Sequence, residues 1–378
     1  MHQVTEISVD GRDLYAAVDL ANSVIPSRTP MESLKNLLIQ VSDGFMTISA
    51  GDSATSVRAT VSADSVRPAD FAILAATFKQ VLSDCDGKIT IGITDRQANI
   101  TTSNGKFNLP LSNLEGMVPA IGFDSMDYVT ADLAKFRFAL AGASRCVSEV
   151  KGGDVMSNVL VDPMLGHIAG ADTRRILIAF VPWEKTGDPY LPDSTNRSES
   201  QILLSTSACS VLQRLSGSSI DATFSANSAT FRSGTVVVNC KLSVGRYPLL
   251  TKFTTPANGT MASNCEVISG AFASIVNRVR VVTTEESRAV MLEFSPESIT
   301  ASTQSANLGE AESSVPIQLK GPAVSVCIDS RYLAEFLSRV DKAATMRVGL
   351  KDFQSHVFMD VESLGLRYVA MPIVLEQK

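Results

Sequence analysis

The chain has 378 residues, 45% hydrophobic and 19% charged, and its 33 basic and 39 acidic side chains leave a net charge of −6. That balance excludes a disordered chain and predicts a folded protein with a large core. The longest apolar run, residues 176–183, falls well short of the ~18 residues a membrane-spanning helix takes, so a soluble protein is expected.

Residues 1–13 carry Glu6, Asp10, Arg12 and Asp13 where a secretory signal needs an apolar stretch, and export by that route is not expected. The six cysteines (Cys85, Cys146, Cys209, Cys240, Cys265 and Cys327) are widely separated, as expected of reduced, buried thiols in a cytoplasmic protein. His2, His167 and His356 stand beside no cysteine or carboxylate at ligand spacing. Neither a zinc site nor a Cys/His nucleophile pair is expected, and no cofactor.

In chain order, the first predicted elements are a helix over 11–24 and a hairpin over 36–52. A second helix follows over 70–85, with Phe71, Leu74, Phe78, Val81 and Leu82 on one face, then strands over 88–94, 98–102 and 106–111. After a linker at 119–127 the series repeats: helix 131–146, hairpin 158–172, helix 206–215, and strands 220–224, 228–232 and 236–244. A linker at 254–262 leads to the third series: helix 267–279, hairpin 289–304, helix 329–340, and strands 346–350, 356–361 and 366–375. Asn104-Gly105 and Ser233-Gly234 stand where hairpin turns are needed. Leu38, Leu160 and Leu292 occupy equivalent places in the three hairpins, about a third of the chain apart. The expected architecture is α+β, three copies of two helices packed on antiparallel sheet, over residues 1–126, 127–256 and 257–378.

Motifs for chemistry are missing: there is no phosphate loop, no G-x-G-x-x-G, no H-E-x-x-H and no G-x-S-x-G. The acidic pairs Asp84/Asp86, Glu285/Glu286 and Glu310/Glu312 sit in polar turns and read as solvated surface. Basic residues, however, recur on or beside the helices of this acidic chain: Arg12, Lys79, Lys135, Arg137, Arg145, Arg214, Arg278, Arg280, Arg331, Arg339 and Lys342. Asp13, Asp19, Asp84, Glu335 and Asp341 share those helices. Two readings stay open, an ordinary solvated face or a basic stripe that holds a polyanion by its phosphates.

Five segments in order, RTPMESLKNLL (28–38), ADTRRI (171–176), GRYP (245–248), RVRVVTTEESRAVML (278–292) and YVAMPIVL (368–375), resemble the bacterial sliding clamps, the beta subunits of DNA polymerase III. The chain departs from that family at two places. ADTRRI replaces the usual T-D-G-H-R-L, and Gly152-Gly153-Asp154-Val155 stands where arginine and aromatic residues are usual. Residues Glu376–Lys378 extend past the terminal leucine at which many relatives stop.

The resemblance implies a ring-shaped, head-to-tail homodimer with sheets outside and helices lining a hole for duplex DNA. The function it implies is a non-catalytic processivity factor in the cytoplasm, at the nucleoid. Its partners would be double-stranded DNA, the replicative polymerase, a clamp loader and other clamp-binding repair and replication proteins. Arg28, Lys135, Arg137, Arg145, Arg214 and Arg278 would meet DNA, and Phe107, Leu109, Val281 and Val282 would form the dimer contact. A cleft for partner peptides would bring together Met156, Ala171, Thr173, Arg175, Ile176, Pro248, Lys252, Phe253, His356, Val369, Met371, Pro372, Ile373, Val374 and Leu375. The competing readings are a peptide-binding scaffold of the same fold that does not close on DNA, and a hydrolase built on Asp172 and His167.

Overall fold

The computed structural model describes residues 5–117, 121–150, 154–192, 201–248, 250, 253, 261–284 and 288–373. Each third of the chain runs strand, helix, three strands as a meander, strand, helix, then three more strands, and the middle third inserts a short strand, Glu184–Thr186, after its meander. The helices are α1 (Gly11–Asn22) and α2 (Ala75–Leu82), then α3 (Leu133–Ala143) and α4 (Thr206–Leu212), then α5 (Ser269–Val279) and α6 (Ser330–Leu337).

The helices start where predicted only in part, because each directly follows a strand. The apolar run before α2 divides: Ala69–Leu74 is a strand paired with Asn36–Ser42, and the helix begins at Ala75. Tyr128–Asp132, Ser263–Ile268 and Val324–Asp329 likewise precede α3, α5 and α6 as strands. A short apolar run suits either period, and here pairing with a neighbouring strand decides it. Asp10 marks the boundary before α1, its carboxylate accepting from the N–H groups of Arg12 and Asp13 at 2.9 and 3.2 Å. The turn predicted at Ser233-Gly234 falls one residue later: Ser233 pairs with Val236, and Gly234, at φ 57°, and Thr235 form the loop between Ser228–Ser233 and Val236–Lys241.

The chain forms two compact units. The first comprises Met1–Arg137, Trp183–Leu191 and Ser207–Ser243, and is built on one 13-stranded antiparallel sheet. Leu14 and Val18 of α1 and Phe78 and Leu82 of α2 are fully buried on it, with Phe136 against Trp183 and Phe231. The second comprises Phe138–Pro182, Pro192–Thr206 and Val244–Lys378, with an eight-stranded and a four-stranded sheet. Its core holds Phe272, Phe294 and Tyr368, the last stacked on Phe336 at 4.4 Å. Among the described residues no helix is long and apolar enough to cross a membrane.

Within each unit a strand of one repeat pairs with the last strand of the next. Thr55–Ser65 pairs with Val236–Lys241, and Arg175–Phe180 pairs with Leu366–Ala370. The corresponding strand of the third repeat, Gly309–Pro316, pairs only with Ser298–Ser305 among the described residues. The last strand of the first repeat, Lys106–Ser112, pairs with Gln97–Thr101 and, at Leu111 and Ser112 alone, with Ala69–Leu74.

All six cysteines are free, and only Cys85 is not fully buried. Burial pushes the Cys146 thiol up to about 12, so it stays protonated at neutral pH.

Candidate functional site

The cleft is organised by the turn at 172–175. Asp172 Oδ1 accepts from the N–H groups of Arg174 (2.7 Å) and Arg175 (2.8 Å), closing a two-residue turn with Thr173 and Arg174 exposed at its tip. The turn leaves Ala171 and Ile176 paired, and Ile176 also pairs with Val369 on the other side. Side chains alternate along a strand, so Ile176 and Ile178 share one face and Arg175 takes the other.

On the Ile176 face lies an apolar cluster of Leu160, Ala169, Ala171, Ile178, Leu203, Tyr247 and Leu250, with Val155, Ile176 and Phe253 packed against it and partly open. The backbone of Tyr247 is held by Gln201, whose Oε1 accepts its N–H at 2.5 Å. Gly245, at φ 150°, brings the chain so close to Val155 that a Cβ there would overlap it. Phe253 meets His356 edge-on at 5.3 Å, and its carbonyl accepts from Arg367 Nη1 at 2.8 Å. Arg367 is itself held by both oxygens of Asp360, at 2.6 and 2.7 Å. Met371, 38% exposed, donates its N–H to Arg174 O at 2.8 Å, and Ile373 donates to Cys327 O at 2.7 Å. The end of the chain therefore runs beside the turn.

Of the predicted cleft residues, the structure thus joins Ala171, Ile176, Phe253, His356, Val369 and Met371, with Thr173 on the turn and Pro372 and Ile373 following Met371. Pro248 is exposed next to Tyr247. Lys252, Val374, Leu375 and the Glu376–Lys378 extension lie outside the described residues.

Two predicted positions stand apart from the apolar cluster. The residue packed on the cluster is Val155, and its neighbour Met156 is half-buried and held by backbone contacts with Ser148 and Asp154. Arg175 faces away from that cluster. Its buried guanidinium, on the opposite face, reaches Glu335 at 2.7 Å, Asp172 at 3.2 Å and Arg145 O at 2.6 Å, and lies over the Tyr332 ring. It supports the cleft wall from behind. Val155, Tyr247 and Leu250 belong to or pack on the apolar cluster and were not among the predicted residues, although Gly245, two residues before Tyr247, was a visible sign of close packing.

The six predicted DNA-facing cations are all exposed. Lys135 and Arg137 lie on α3 and Arg278 on α5; Arg145 and Arg214 lie just past α3 and α4; Arg28 lies several residues past α1. Arg214 is paired with Asp19, and Arg145 approaches Glu335 at 3.5 Å. Arg28, Lys135, Arg137 and Arg278 make no ion pair with another described residue. Phe107 and Val281 are 38% and 76% exposed, and Leu109 and Val282 are half-buried, so none of the four predicted contact residues is a core residue of the single chain.

No group of three or more His, Cys, Asp or Glu among the described residues could hold a metal. Asp172 is engaged by its own turn and by Arg175, and burial lowers the pKa of His167 below the usual imidazole value. A threefold repeat of paired strands, with exposed cations near its helices and a partly open apolar cluster, suits a clamp, a protein that acts by holding.

Comparison with known proteins agrees. Residues 5–117 match the N-terminal domain of the DNA polymerase III beta subunit, and residues 256–374 match its C-terminal domain. The beta sliding clamp of Chlamydia trachomatis is 20% identical, over 99% of this chain and 88% of its own. That of Caulobacter vibrioides is 20% identical over 97% and 99%. Among solved structures, the Bacillus subtilis sliding clamp superposes with a TM-score of 0.84 at 15% identity, over 99% of this chain and all of that one. A Bartonella birtlesii clamp bound to griselimycin gives 0.83 at 18% identity, again over 99% and all of each chain. The chain belongs to the DNA polymerase III beta subunit family. It is a non-catalytic DNA sliding clamp, which confers processivity on a DNA polymerase.

Proposed function

We propose that two copies of this chain, each of three repeats (residues 1–126, 127–256 and 257–378), close head to tail around duplex DNA. In this reading the cleft of each copy captures apolar-anchored peptide segments of the replicative polymerase, a clamp loader and other replication and repair proteins. The carrying observation is the strand pairing between repeats. Among the described residues it occurs twice and leaves Gly309–Pro316 and Lys106–Pro110 as matching open edges. A heterologous contact of that kind forms a ring when its rotation closes, and pairing removes the hazard of an exposed edge.

Side chains at those edges support closure. Phe107 and Leu109 correspond, by their partners in the preceding strand, to Val238 and Cys240 in the second repeat and to Tyr368 and Ala370 in the third. Those four are fully buried, whereas Phe107 is exposed and Leu109 only half-buried. Val282 stands as far from the start of its helix as the buried Val24 and Cys146 do from theirs. Arg28, Lys135, Arg137 and Arg278 are the cations free to meet phosphate directly or through water, and such contacts carry no sequence preference. The setting would be the cytoplasm, on the nucleoid.

A scaffold that never closes on DNA is less favoured, since it leaves both edges and Val281 uncovered. Solution mass tests closure. The intact chain is expected to be a dimer at micromolar concentration, and Val281→Glu with Val282→Glu a folded monomer that no longer stays on circular DNA. A monomeric parent chain, or an unchanged dimer in the double variant, would overturn the ring.

A further inference from the structure

One carboxylate in the first unit receives two cations from elements distant in the sequence. Asp19 of α1 takes Lys79 of α2 on Oδ1 at 2.6 Å and Arg214, just past α4, on Oδ2. None of the three is deeply buried, their side chains being 27%, 35% and 40% exposed, so the cluster is open to a solute. The other acid that takes two cations among the described residues, Glu335, differs in kind. One of its partners, Arg175, has a side chain only 9% exposed, and that pair is part of the core. Asp19 has no such buried partner.

Burial raises the Asp19 carboxyl, but Lys79 and Arg214 outweigh it and hold the group below the ordinary carboxylate range. At neutral pH the clasp is therefore charged and closed. Its geometry is that of an occupied anion site: two oxygens about one centre, each held by one cation. A phosphodiester presents the same two charged oxygens.

We propose that Asp19 is a built-in stand-in for a DNA phosphate, which keeps Lys79 and Arg214 converged on an anion site while withholding their charge from the duplex. The inference rests on the reading that the helices face DNA. Two of the cations nearest the helices would thus be held in reserve, so that DNA is attracted by the free cations without being gripped here.

The test is the affinity of the full-length chain for a short, labelled, blunt-ended duplex across a salt series. The variants are Asp19→Asn, Lys79→Ala with Arg214→Ala, and all three together. Each added phosphate contact steepens the salt dependence by about 0.9, so releasing one or two should tighten binding by about tenfold at low salt. Asp19→Asn is expected to show that gain, and the triple variant to lose it. In the parent background, Lys79→Ala with Arg214→Ala should change binding far less.

An unchanged affinity and salt slope in Asp19→Asn would overturn the proposal. So would an equal gain with Lys79 and Arg214 removed, since that is merely a change in net charge. Neutralising Arg28, Lys135 and Arg137 tests the underlying reading separately, and if that leaves binding unaltered, the helices do not face DNA. Should Asp19→Asn fail to fold, the cation double variant decides alone: a loss as large as that from the free cations would mean that Asp19 withholds nothing.

Discussion

The two strand junctions inside the chain share a backbone and differ in side chains. Asp52 closes its turn onto the N–H groups of Ala54 and Thr55 just as Asp172 does onto Arg174 and Arg175, and each turn leads into the strand that pairs with the next repeat. The equivalent cross-strand pair is Ser56 with Asn239 at the first junction and Ile176 with Val369 at the second. Asn239 spends its amide on Thr230 at 2.8 Å, whereas Ile176 packs on the apolar cluster. On the opposite face Thr55 is replaced by Arg175, with its two carboxylates. Pairing between repeats therefore builds the body of the clamp, and a few side chains at one junction leave an apolar cluster partly open, which is the proposed place to bind.

The largest expected effect is at the residue that most distinguishes the second junction. Arg175→Ala removes the buried partner shared by Glu335 and Asp172 and leaves Glu335 only the exposed Arg145 at 3.5 Å, a change that costs about 3 kcal/mol. Thr55→Ala, at the equivalent position, should cost about 1 kcal/mol or less. Urea denaturation of the two variants separates them, and equal costs would mean that Arg175 carries no special load.

Next is the cleft itself. Ile176→Asp should weaken a polymerase-derived peptide about 100-fold, near 2.8 kcal/mol, with dimer mass unchanged. Deleting residues 371–378 should abolish that binding, whereas deleting only 376–378 should preserve it. The converse change, Ser56→Ile with Asn239→Val, should create no peptide site, because the counterparts of Tyr247, Leu250 and Phe253 are not supplied. Fluorescence anisotropy measures all of these, and undiminished binding by Ile176→Asp would put the cleft elsewhere.

The threefold repeat was legible because each hairpin carries its own apolar alternation, but the predicted equivalence of Leu38, Leu160 and Leu292 slips by one residue in the third repeat: pairing with the strand before the second helix sets Met291 opposite Cys327 as Leu38 is opposite Ala72 and Leu160 opposite Leu203. The strands before α2, α3, α5 and α6 were not legible, since an apolar run that passes straight from strand to helix has no punctuation between its two periods. Arg175 and Ile176 could have been assigned to opposite faces by the period of two alone. The Asp19 clasp had no such signal: Asp19, Lys79 and Arg214 are separated by most of two repeats, and only the fold brings them together.

The smallest effect is a pH dependence confined to the second unit. Burial lowers the pKa of His356 and of His167, the latter with help from Arg367 and against the opposing charge of Asp162. In the unfolded chain both titrate near 6.5. As pH falls below that value the unfolded state takes up protons first, so the stability due to keeping these rings neutral is complete above ~6.5 and is lost as pH falls through the lower folded values. Asp19, also depressed, acts in a separate window, its contribution present above the ordinary carboxylate pKa of ~3.9 and lost only in stronger acid. Melting temperature should therefore decline gently between about pH 6.5 and 5, and His167→Gln with His356→Gln should flatten that decline while leaving the acid limb in place. A decline of the same slope in the double variant would assign it to other groups and leave the junctions indistinguishable by pH.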